Sequence, residues 1–141
     1  MNRKEGDSFM NKKALILVFL FVFLLVGCLG GPGELTRIDV LAVDEEMHIQ
    51  DAEKINRIKD IMKKVDWDTK TNIEMARQED VLATFFFDYD KQLPERLIEY
   101  RIWWNQSRGS AIIVSSDADE GYGKLNEKNS KKLEKELMEN F

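Results

Sequence analysis

One cysteine, one histidine and two prolines are all that the 141 residues hold of these types. A lone cysteine excludes an internal disulfide, so the fold must rest on packing alone. A lone histidine leaves only His48 for a Ser-His-Asp arrangement, and nothing beside it resembles a nucleophile elbow. His48 reads as a solvated residue in a polar connection. Two prolines leave no proline-rich linker. Net positive charge is also lacking: the chain carries −5. Residues 1–27 hold Arg3, Lys4, Lys12 and Lys13 against Glu5 and Asp7, a balance of +2, so residues 28–141 carry −7. Phosphate backbones repel such a domain, which argues against nucleic acid as a partner.

The apolar residues are concentrated at one place. "ALILVFLFVFLLV", Ala14 to Val26, is thirteen apolar residues in a row. A membrane-spanning helix needs about 20. Thirteen behind Lys12 and Lys13 fits the apolar core of a secretory signal. The run closes on Leu25-Val26-Gly27-Cys28. These four residues resemble the lipobox of bacterial lipoproteins. The resemblance implies transfer of a diacylglyceryl group to the Cys28 thiol and cleavage before it. Residues 1–27 are then a signal peptide, and the mature chain is lipid-anchored on the extracytoplasmic face of the cell membrane. Two acyl chains suffice for stable retention where one does not. "LGGPGE", residues 29–34, reads as a flexible tether.

Residues 35–141 read as one small α+β domain. Period-two alternation predicts strands over 35–43, 81–89, 96–104 and 111–116. Helical spacing of Ile55, Ile58, Ile61, Met62 and Val65 predicts a helix behind Asp51 as N-cap. A second helix starts behind Asn126 and carries Leu133, Leu137, Met138 and Phe141 as its stripe. The order β-α-β-β-β-α predicts an antiparallel sheet of about four strands with both helices on one face.

"DIMKKVDW", "EMARQEDVLATFFF", "YRIWW", "GYGKL" and "SKKLEKEL" follow one another through this domain. The pattern resembles the small YhfM-like domain of surface lipoproteins from Bacillus and its relatives. The resemblance implies an envelope protein without an established activity, and no catalytic residue comes with it. One departure is Arg77-Gln78-Glu79-Asp80, where a proline is expected.

No motif demands a cofactor. "GYGKL" lacks the glycine spacing of a phosphate loop. "DADEG" offers Asp117, Asp119 and Glu120 as weak calcium candidates, but the EF-hand pattern breaks after two ligands. Aromatic residues give the stronger clue. Trp103 and Trp104 are adjacent in a strand and so face opposite ways. With Trp104 in the core, Trp103 joins Phe86 and Arg101 on the outer sheet face, a candidate interaction surface for an unknown protein or envelope partner. Alternatively, Trp67 or the 66–80 segment closes over that face. These features predict a binding or interaction module that is not an enzyme. A small cell-envelope enzyme and a calcium-dependent adhesion or sensing module are the alternatives.

Overall fold

Alternation in the sequence becomes a sheet because one side of each strand finds the two helices to cover it. The computed structural model describes residues 33–71, 73–139 and 141. Cys28 and the lipobox residues Leu25, Val26 and Gly27 lie outside the described residues. The folded unit runs from Pro32 to Phe141. Its strands are β1 (Glu34–Ala42), β2 (Glu45–Ile49), β3 (Asp66–Asp68), β4 (Val81–Asp88), β5 (Arg96–Asn105), β6 (Ser110–Ser115) and β7 (Tyr122–Leu125). Its helices are α1 (Ala52–Met62) and α2 (Glu127–Met138). All seven strands form one antiparallel sheet in the order β2-β1-β4-β5-β6-β7-β3.

This corrects the expected four-stranded sheet. The four predicted strands are β1, β4, β5 and β6, and three more were hidden in segments that read as loops. Polar "EEMHI" forms β2, "DWD" forms β3 and "YGKL" forms β7. Each is three to five residues long and holds Asp, Glu, Lys or Gly, residues that isolated strands avoid. Pairing with a longer neighbour, or with each other, supplies what their composition lacks. Gly123 of β7 stands opposite Trp67 of β3. A Cβ at 123 would run into the Val65 side chain and the Trp67 ring. The glycine that marks a loop in the sequence is therefore the close approach that lets β3 dock.

The core is one layer between the helices and the inner sheet face. Ile38, Val40, Val81, Ala83, Ile102 and Ile113 from the sheet meet Ile58, Leu133 and Leu137 from the helices, all almost fully buried. Both predicted caps are in place: Asp51 Oδ1 accepts from the Lys54 amide at 2.7 Å and Asn126 Oδ1 from the Asn129 amide at 3.0 Å. The Arg57 guanidinium donates twice to Glu136, at 2.8 and 3.1 Å, and ties α1 to α2. Among the described residues no helix is long and apolar enough to cross a membrane.

Candidate functional site

The segment before β4 and the end of β5 bring together a cluster of convergent polar groups. Asp80 is the hinge of this region. Arg77 donates to both of its carboxylate oxygens, at 2.6 and 2.8 Å. Asp80 Oδ2 also accepts the backbone N–H of Trp104 at 2.7 Å. The Asp80 carboxyl is held below the usual carboxylate range, first by the Arg77 hydrogen bonds and also by the Trp104 amide, against the opposing effect of burial. Arg77 reaches Trp104 as well, donating to its carbonyl at 3.3 Å. The indole N–H of Trp103 donates to the Arg77 carbonyl at 3.0 Å.

That clamp decides the fate of the expected interaction face. Trp103 is only 5% exposed, because the segment before β4 closes over it. Phe86 lies opposite Leu97, Arg101 opposite Leu82, and Trp103 opposite Ile112. Six residues of β5 separate Leu97 from Trp103, about 20 Å of strand. Phe86 and Trp103 share a side of the sheet without meeting. Phe86 instead lies under the Arg37 guanidinium, whose carbon sits 3.7 Å from the ring centroid. Arg101 is exposed.

Of the calcium candidates, Asp117 and Glu120 hold other partners, while Asp119 is exposed. The Asp117 carboxylate accepts from Arg96 at 2.6 Å and from the Asp119 amide at 3.1 Å. Glu120 turns inward, where it accepts the Ser115 hydroxyl at 2.7 Å. Tyr100 lies beside it, and burial, then the Glu120 charge, push the phenol pKa far up. Tyr100 thus stays a neutral, buried hydroxyl. Among the described residues, the His/Cys/Asp/Glu group whose ligand atoms approach one another is Asp39, Glu46 and His48 instead.

Beside the Asp80 clamp opens a cleft of 510 Å³. Its apolar wall is Leu41, Leu82, Trp104 and Met138. Carboxylates of Asp44, Glu79, Asp80 and Glu134 line the remainder, with no Lys or Arg among the lining residues. The β1–β2 turn forms one lip. Its two residues, Val43 and Asp44, have φ of 47° and 67°. A left-handed pair is what a two-residue hairpin requires, but a β-branched residue is strained there. Reading the sequence missed this cleft. Its only linear signal is the Arg77–Asp80 charge pair just ahead of a strand, which is indistinguishable from a solvated turn.

A long antiparallel sheet covered by helices on one face places the chain in the thioesterase-like (hot-dog) class of folds. A crystal structure of a thioesterase-like protein from Clostridium sporogenes superimposes with a TM-score of 0.53 at 18% identity, covering 79% of this chain and 100% of that one. This likeness establishes the fold and replaces the four-stranded expectation. It also corrects the expectation that the chain is not an enzyme, since its fold is shared with a protein described as thioesterase-like. No family model matches the chain, and no curated protein does.

Proposed function

We propose that the chain is a lipid-anchored extracytoplasmic protein of the YhfM-like kind whose domain takes a small cationic, partly apolar ligand in the Trp104 cleft. Leu25-Val26-Gly27-Cys28 supports the anchor, and the net charge of the domain agrees with a partner that is not a nucleic acid. One observation carries the choice of ligand. Four lining carboxylates, of which Arg77 neutralises Asp80 from outside the lining, meet an indole ring and the Leu41, Leu82 and Met138 side chains, with no Lys or Arg among the lining residues. Carboxylates attract a cation, and an aromatic face beside them adds cation–π attraction. Asp80 is committed to Arg77 and Trp104, so Asp44, Glu79 and Glu134 are the carboxylates left to meet the ligand; Asp44 sits in the left-handed β1–β2 turn, so the test uses the other two.

The test compares a hexyltrimethylammonium ion with hexanoate, two ligands of one apolar length and opposite charge, by thermal melts of the full chain in detergent. The ammonium ion is expected to raise the melting temperature, and Glu134→Gln to reduce that rise. A shift produced equally by hexanoate, or one untouched by Glu79→Gln and Glu134→Gln together, contradicts the proposal.

The fold likeness favours a second reading: hydrolysis of a thioester in the same cleft. Water attack on the thioester carbon would need a carboxylate base. Glu79 or Glu134 would fill that role, because the Arg77 clamp leaves Asp80 a poor base. Release of free thiol from an acyl thioester, lost in the glutamine variant of whichever residue is the base, supports this reading.

A further inference from the structure

We propose that Asp39, Glu46 and His48 form a binding site for a divalent transition-metal ion of the zinc type on the outer face of the β1–β2 hairpin. The three residues are brought together by strand register. Asp39 of β1 stands directly opposite His48 of β2. Glu46 precedes His48 by two residues and so points to the same side of the sheet. One ligand atom from each lies within 4.8 Å of the others. His48 Nδ1 and Asp39 Oδ1 are 2.7 Å apart, within hydrogen-bond distance.

A tetrahedral zinc ion with ligands at 2.0–2.2 Å holds its donor atoms about 3.4 Å from one another. Asp39 and His48 must therefore part by about 0.7 Å, and Glu46 must close by up to about 1.4 Å, to reach that spacing. Both Glu46 and His48 are exposed, so rotation about their side-chain bonds supplies these movements. In the tautomer with its proton on Nε2, the imidazole presents an Nδ1 lone pair toward the two carboxylates. One imidazole and two carboxylates leave a fourth position open to water or an outside ligand. An imidazole donor also favours zinc, copper or nickel over calcium and magnesium.

Arg37 is the apparent obstacle, and its geometry makes it a support instead. Its Nε–H donates to Asp39 Oδ1 at 3.0 Å, which fixes the carboxylate and leaves Oδ2 free. Stacking on Phe86 holds the guanidinium itself in place. Ligating carboxylates are ordinarily hydrogen-bonded in this way by groups that orient them. Glu46 stands opposite Leu41, which borders the Trp104 cleft, but none of Asp39, Glu46 and His48 lines that cleft, so the two sites share no ligand residue.

The full chain in detergent is titrated with zinc and, separately, with calcium, by calorimetry. Cobalt provides a spectroscopic reading of the same site through its visible absorption. One zinc ion per chain is expected, with cobalt bands that change when the imidazole is lost. His48→Ala and Glu46→Gln should each weaken zinc by about 10–100-fold or more, the range seen when even orienting partners are removed. Melting temperatures without metal show that both variants fold, as exposed positions should allow. Binding of zinc that is unsaturable, that calcium matches, or that survives both substitutions overturns the site.

Discussion

Asp80 concentrates the physics of the domain in one carboxylate. It joins the segment before β4 to the Trp104 amide and to Arg77, whose carbonyl in turn receives Trp103. A carboxyl whose pKa is lowered on folding stabilises the native state above its unfolded value near 3.9, and that stabilisation fades as pH falls through the depressed folded value. Asp80→Asn is therefore expected to lower stability at neutral pH by about 1–2 kcal/mol, after allowing for solvent screening of the Arg77 pair. The difference between wild type and variant should shrink below pH 4 and vanish in stronger acid. Melts from pH 7 to pH 2 measure it, and a difference that does not change with pH refutes the clamp. Neither the clamp nor the metal-site pairing was legible in sequence. Arg77 and Asp80 looked like a solvated turn, and His48 looked solvated because its partner Asp39 is nine residues away. Only strand register brings such pairs together.

At the scale of the element, the long strands and both helices were legible because each carries a full period of its own. Asp51 and Asn126 mark the helix starts, and the structure uses both as caps. Short strands were not legible, because their stability comes from neighbours. "DWD" has no signal of its own and depends on the space that Gly123 leaves. The β1–β2 hairpin is the clearest case. Its turn has Val-Asp where Asn-Gly is the strong signal, and Val43 is left 89% exposed. Strain of this kind costs about 1–3 kcal/mol per residue. Val43→Asn, which tolerates the left-handed conformation, should stabilise the domain by about 1 kcal/mol. Denaturant titration gives the change in midpoint. An unchanged or lower midpoint would mean that Val43 is not strained.

For the whole molecule, the fold and the address come from different parts of the chain. The domain's fold resembles that of a thioesterase-like protein at low identity. The alternating strands were enough to predict helices packed on one sheet face, but not the number of strands or this likeness of fold. The address rests on four residues, Leu25 to Cys28, and on the apolar run before them. The proposed anchoring would give the acidic cleft its setting, since a domain of charge −7 held near anionic headgroups would draw cations toward the same surface. The most direct test of the account is metabolic labelling with an alkyne fatty acid in a bacterial host, comparing the wild-type chain with Cys28→Ser. Wild type is expected to take up the label, to lose residues 1–27 and to sediment with membranes, while Cys28→Ser remains unlabelled and uncleaved at that position. Absence of label from the wild type, or equal labelling of the variant, would contradict the account.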